Sequence, residues 1–216
     1  MNSRRLSQSA PEAATGARSM TATTEYSTCR WLRRFMLEYK TVVRILREVL
    51  ITALVALAIF LPMKATVQGY EVQYSCMLPN VQDGDWIIVG KVVYHVSEPH
   101  RGDVIVFDPP EELHSEFPFI KRLIGLPGET VEVHDGTVYI DGVALTESYL
   151  NEKPRYTLGP MAIPYGEYFV LGDNRNSAND SHNGWTVPIE NVIGKARFIY
   201  WPLSRMTIIE HFDYGE

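Results

Sequence analysis

The sequence of 216 residues predicts an all-β domain of antiparallel strands carried on an N-terminal transmembrane helix. Three observations lead there. An uncharged apolar run, Val49 to Met63, follows a cluster of basic residues. From Thr66 onward, β-branched and aromatic residues come in short runs punctuated by Gly, Pro, Asp and Asn. No long amphipathic helical pattern interrupts those runs.

The elements follow in order. Residues 1 to about 28 are rich in Ser, Thr and Ala and are expected to be disordered, within a basic cytoplasmic tail over residues 1–40. Arg30, Arg33, Arg34, Lys40, Arg44 and Arg47 supply the charge. The 15-residue apolar run is shorter than the roughly 20 residues a span needs. The preceding VVRIL segment extends it, with Arg44 and Arg47 snorkelling to the interface, so the anchor is expected over 41–64. A cleaved leader would carry a small-x-small pattern after the apolar run, and none follows the run before Val67. A buried core helix would show a polar face, and this run offers only Thr52. The basic flank lies before the run, which places the N-terminus in the cytoplasm and residues 65–216 outside.

Within 65–216 the strand candidates are WIIVGKVVY, DVIVF, TVEVHDG, TVYIDG, EYFVLG and ARFIYW. TVEVHDGTVYIDGVAL reads as strands joined by two Asp-Gly turns, inside a hairpin-rich stretch of about 129–165. A net charge of -6 argues against nucleic acid as a partner. The two cysteines, Cys29 and Cys76, fall on opposite sides of the anchor and are expected as free thiols. Six scattered histidines give no zinc spacing, so no metal and no cofactor are expected.

Three segments carry candidate chemistry. The first is Tyr74-Ser75-Cys76-Met77-Leu78-Pro79-Asn80-Val81, followed by Gly84-Asp85. A free cysteine there is more often an inert buried hydrophobe than a nucleophile. The second runs from Phe119 to Gly128 and sets Lys121 between apolar residues. Facing inward, that lysine would suit a general base. By itself the pattern favours an edge-strand lysine pointing to water. The third, Leu171 to His182, is a polar loop after an apolar strand, without the regular spacing of a calcium loop.

Together the three resemble the boxes of type I signal peptidases, the Ser/Lys-dyad leader peptidase family. Met77, Pro79 and Asp85 match the first box; Lys121-Arg122 with Gly125-Leu126-Pro127-Gly128 match the second. Gly172, Asp173, Asn174, Arg175, Asp180 and Ser181 match the third, and RGDVIVF resembles the strand before the second. The resemblance covers roughly 45–202 and implies a membrane-bound endopeptidase that cleaves signal peptides from exported preproteins. Cys76 falls in the serine position and Lys121 in that of the base, implying a Cys/Lys dyad. The oxyanion hole would use the Cys76 N–H, with Tyr74 at the position of an assisting hydroxyl. The serine that supports the lysine falls on Ala178, with Ser177 shifted by one, and His182 replaces an arginine opposite Asp180. Substrate would add as a strand beside Val72, Gln73 and Ser75 and near Phe119 and Ile120. The implied partners are preprotein signal peptides, membrane lipid and the export machinery, at the plasma membrane. A catalytically inactive signal-peptide binder is the alternative that the Cys76 and Ala178 replacements raise. A self-cleaving repressor-type protease would be expected to carry a DNA-binding segment instead of an anchor.

Overall fold

The computed structural model describes residues 20–215, apart from the side chains of 20–34, 37, 65 and 95. The chain divides after Ile59 into two units. The described residues of the first form a single helix, α1 (Met20–Thr66), which runs into the start of the second. The expected disorder to about residue 28 is corrected from Met20 onward; residues 1–19 lie outside the described residues. No Gly or Pro occurs between Met20 and Leu61, so nothing stops a nucleated helix from propagating through the Ser/Thr-rich segment. Over Glu38–Lys64 the helix is long and apolar enough to cross a membrane. At 1.5 Å per residue those 27 residues reach about 40 Å, more than a hydrocarbon core of about 30 Å. Leu46, Val49 and Ile59 along it are all more than half exposed.

Every strand pairing in the second unit is antiparallel. Its strands are β1 (Val67–Glu71), β2 (Trp86–Gly90), β3 (Val104–Phe107), β4 (Phe119–Gly125), β5 (Thr130–His134), β6 (Thr137–Ile140) and β7 (Val143–Ala144). They continue with β8 (Leu158–Ala162), β9 (Glu167–Leu171), β10 (Val187–Pro188), β11 (Val192–Trp201) and β12 (Thr207–Ile208). The main sheet has the order β1-β2-β11-β3-β4-β9-β10, with β12 added to β11. A smaller sheet, β7-β6-β5-β8, is inserted between β4 and β9. Its two tight turns use Asp135-Gly136 and Asp141-Gly142, all four at positive φ, the geometry that matches hairpin twist.

The WIIVGKVVY run does not continue as one strand. β2 ends at Gly90, and a short helix, α2 (Val93–Val96), follows. The Gly90 carbonyl lies against Gly194 of β11, where an added Cβ would sit 2.4 Å from the oxygen. The next amide, Lys91 N–H, turns to the Thr66 carbonyl at 3.0 Å, taking the chain out of the sheet.

Strand alternation splits β4 between faces. Ile120 joins a core with Val72, Cys76, Met77, Val104 and Val106, whereas Leu123 packs with Ile105, Phe107 and Val170. Ile124 joins the core made with Val131, Val133, Phe169 and Leu171.

Candidate active site

β4 positions the lysine. β3 pairs with β4 from Phe119 to Arg122, and β9 pairs on the other side only from Arg122 to Gly125. Phe119–Lys121 therefore has a strand on one side and an open edge on the other. Lys121 is 3% exposed, which corrects the edge-strand reading of its side chain. The strand is interior to the sheet, and only its backbone edge is free. Leu123 N–H donates to Asp103 O and accepts, through its own carbonyl, Gly102 N–H. Odd-numbered residues of β4 thus turn their polar groups to β3, and Ile120 turns its own toward the open edge.

The Ile120 carbonyl oxygen is where the two candidate groups meet. Lys121 Nζ donates to it at 3.1 Å and Cys76 Sγ at 3.5 Å. No direct hydrogen bond joins the two groups. Lys121 Nζ also stands 5.0 Å from the Phe119 ring centroid, in an apolar setting with a π face. Cys76 is buried and free of any disulfide; Cys29 lies among residues whose side chains are not described.

Ser75 and Cys76 are held from behind by the third segment. Asn174 N–H donates to the Cys76 carbonyl at 3.0 Å, and Asn174 Nδ2 to the Ser75 carbonyl at 3.0 Å. The Cys76 N–H has no internal partner among the described residues, so it can serve an incoming anion. Met77 is fully buried beneath Cys76, and a cis Leu78-Pro79 bond follows. Asp85 fixes the far end of this segment: it accepts Gln82 N–H at 2.8 Å and pairs with Arg205 Nε at 2.8 Å.

Arg122 and Asp173 form a bidentate buried pair, Nε to Oδ1 at 2.9 Å and Nη2 to Oδ2 at 2.8 Å. Burial alone would lower the Arg122 pKa, but Asp173 outweighs it and the value is raised. Asn80 Nδ2 adds 2.7 Å to the same carboxylate, tying the first segment to the third. Arg175 is likewise buried, with Glu147 at 2.6 Å and the Tyr149 hydroxyl at 3.0 Å. Its burial disfavours the charge, and Glu147 raises the pKa above the ordinary arginine value regardless. Ser181 Oγ accepts Val170 N–H at 3.0 Å, and Asp180 accepts Gly172 N–H at 2.9 Å.

A groove of about 930 Å³ opens over Cys76 and Lys121. Val72, Gln73, Tyr74 and Ser75 line one wall; Phe117, Pro118, Phe119 and Ile120 line the other; Ser177 and Asn179 also reach it. Residues 72–75, beside which substrate is expected to add, lie outside β1 and form no strand. β1 ends at Glu71, and Tyr74 takes a left-handed φ of 75° with its N–H on Asp83 Oδ1 at 2.7 Å. The Tyr74 side chain is 69% exposed. Ala178 is buried with Cys76 in the same core. Leu113–Glu116 of the groove lining, and Glu147 and Tyr149 around Arg175, are site residues that sequence reasoning did not single out.

Among the described residues, no cluster of three or more His, Cys, Asp or Glu could hold a metal ion. What the arrangement can do is acyl transfer: a thiol, an amine, a free N–H and an open strand edge converge on one groove.

Residues 43–201 match the family model described as signal peptidase, peptidase S26. A probable signal peptidase I-1 of Synechocystis sp. is 47% identical over 143 residues, 64% of this chain and 73% of that protein. A signal peptidase I of Leptolyngbya laminosa is 47% identical over 135 residues, 60% of this chain and 66% of that protein. A crystal structure of a signal peptidase I from Enterococcus faecalis is 38% identical, covering 46% of this chain and 97% of that chain with a TM-score of 0.41.

Proposed function

The chain belongs to the signal peptidase family, peptidase S26, and from that membership we propose that it is a membrane-anchored endopeptidase removing signal peptides from preproteins, with Cys76 as nucleophile and Lys121 as general base. The observation that carries the reading is the meeting of Cys76 Sγ and Lys121 Nζ on the Ile120 carbonyl, beside an open strand edge.

The chemistry follows from the groups present. Neutral Lys121 takes the Cys76 thiol proton, and sulfur attacks the scissile carbonyl carbon. The resulting oxyanion is met by the Cys76 N–H, with the Tyr74 phenol as the candidate second donor. Collapse expels the mature protein's amine, which receives the proton from Lys121, and leaves a thioester on Cys76. Water, deprotonated by Lys121, then attacks the thioester carbon; the C–S bond breaks, Lys121 returns the proton to the Cys76 sulfur, and the signal peptide leaves with a free C-terminal carboxyl group. A thiol loses its proton more readily than a hydroxyl, so the base needs less support where Ala178 stands. An extended signal-peptide chain adding to the open edge at Ile120 would present its carbonyl to sulfur.

The anchor supports action at a membrane surface, where tethering raises the local concentration of enzyme and preprotein. The basic flank of the span supports a cytoplasmic N-terminus with the β domain on the outer face of the plasma membrane. Membrane lipid and the export machinery are the partners this placement implies.

The test is cleavage of a signal-peptide substrate by the detergent-solubilised chain. Cys76→Ala reduces cleavage to background, and Lys121→Met lowers kcat/KM by about 10²–10⁴. Full activity in Cys76→Ala rejects the nucleophile assignment. Peptide binding without cleavage by the unmodified chain identifies the inactive binder instead.

A further inference from the structure

Asn174 sits between two residues that are locked in place. Asp173 before it is held by Arg122 and Asn80, and Arg175 after it by Glu147 and the Tyr149 hydroxyl. Asp173 and Arg175 are buried, so the loop is fixed on both sides of Asn174, whose own side chain is half-buried. From that fixed point Asn174 makes two bonds to the segment that carries the thiol. Its N–H donates to the Cys76 carbonyl at 3.0 Å, and its Nδ2 to the Ser75 carbonyl at 3.0 Å. These two carbonyls flank the Cys76 Cα, so both peptide planes that meet there are pinned. Only the amide nitrogen of Asn174 suits the Ser75 oxygen, because Oδ1 in its place would set acceptor against acceptor.

We propose that Asn174 is a positioning residue that aims the Cys76 N–H at the oxyanion by holding the Ser75 carbonyl, a role that rests on the assignment of Cys76 as nucleophile. The Ser75–Cys76 bond is trans, so its carbonyl oxygen and its N–H point in opposite directions from one rigid plane. Asn174 takes the oxygen from behind: it does not line the groove, whereas Ser75 and Cys76 both do. The N–H is thereby turned to the groove side, where it has no internal partner among the described residues. Without the side-chain bond, that plane could rotate about the single bonds on either side of it and swing the N–H away. The same bond draws electron density toward the Ser75 oxygen and makes the Cys76 N–H a stronger donor. A donor fixed in advance meets the developing charge with no reorganisation at the moment of attack.

The test compares the unmodified chain with Asn174→Ala and with Asn174→Asp, which keeps the shape but sets a carboxylate oxygen against the Ser75 carbonyl. Both variants retain the backbone N–H that holds the Cys76 carbonyl. Three quantities are measured: kcat and KM for a signal-peptide substrate, the rate of iodoacetamide alkylation mapped at Cys76, and the affinity of a peptide aldehyde. Alkylation attacks a saturated carbon and develops no oxyanion, so it reads the thiol and its base alone. The aldehyde adds the thiol across its carbonyl: the C–S bond forms, and the thiol proton passes by way of Lys121 to the oxygen, which occupies the oxyanion position. Its binding is read as protection of Cys76 from iodoacetamide. In both variants kcat is expected to fall by about 10–10²-fold and aldehyde affinity by at least about tenfold, with KM and the alkylation rate within about threefold of the unmodified chain. Unchanged kcat and aldehyde affinity overturn the proposal. So does a change in alkylation beyond about threefold in either direction, which marks a role in folding or in seating the thiol. If the unmodified chain cleaves no peptide, the peptidase reading fails, and the aldehyde alone decides: weaker protection in the variants supports the role of Asn174, and equal or absent protection overturns it.

Discussion

Gly172 and Cys76 touch through their backbones. A methyl group on the Gly172 Cα would fall 2.5 Å from the Cys76 carbonyl oxygen and 2.5 Å from the Ala178 Cβ. Neither neighbour is the free end of a flexible side chain, so the loop itself must move to admit it. Gly172→Ala is expected to cost about 1–3 kcal/mol in urea unfolding. Because the loop carries Asn174, kcat/KM is expected to fall at least about tenfold, and an unchanged cleavage rate would contradict this contact.

Cys76 and Ala178 share one core, so their substitutions are expected to couple. Cys76→Ser places a poorer acid opposite Lys121 and should lose most activity. Adding Ala178→Ser restores a hydroxyl where the family resemblance places the lysine's support. In a double-mutant cycle on kcat/KM, the second change is expected to help the serine enzyme about tenfold more than the cysteine enzyme. Equal effects in both backgrounds would show that the replacements are independent.

Asp173→Asn leaves Arg122 buried with a neutral partner. The Arg122 and Asp173 side chains are 3% and 0% exposed, so water cannot take over the lost charge. Breaking such a pair costs about 3–5 kcal/mol. Denaturant titration measures it, and a loss under about 1 kcal/mol would place this pair with ordinary surface bridges.

Asp103 sets an acid limb of stability. Burial would raise its pKa, but bonds from Lys195, the His100 amide and the Tyr94 hydroxyl outweigh it and lower the value. His211 Nδ1 adds a contact at 2.9 Å. The unfolded carboxyl binds its proton more readily than the folded one, so this stabilisation is full above the unfolded value and is lost as pH falls through the folded value. The melting-temperature gap between the unmodified chain and Asp103→Asn is expected to be widest above about pH 5 and to narrow toward about pH 2. A gap that widens in acid would reverse the sign.

Much of the architecture was legible because it rests on local chemistry. The Asp135-Gly136 and Asp141-Gly142 turns announce themselves by residue type, and the uncharged stretch of α1 by length. Lys121 misleads alone because burial depends on where β9 joins β4, a non-local pairing. The bend at Tyr74 is hidden for a related reason: its backbone leaves the extended region and its N–H reaches Asp83, nine residues away. WIIVGKVVY stops at Gly90 because β11 brings Gly194 against it, which no window of local sequence contains. The Arg175–Glu147–Tyr149 group joins the third segment to the inserted sheet's flank, and only the fold brings those stretches together.

The open edge at Phe119–Ile120 bears on solubility as well as on binding. Unpaired strand edges invite neighbouring molecules to pair edge to edge and extend the sheet. This one is only a few residues long, ends at Pro118, which has no N–H to offer, and lies in a groove walled by Tyr74 and Phe117. One extended chain can thread such a slot, whereas the broad margin of another folded domain cannot enter. Recessing the edge lets the protein stay open to a flexible peptide without becoming a seed for self-association.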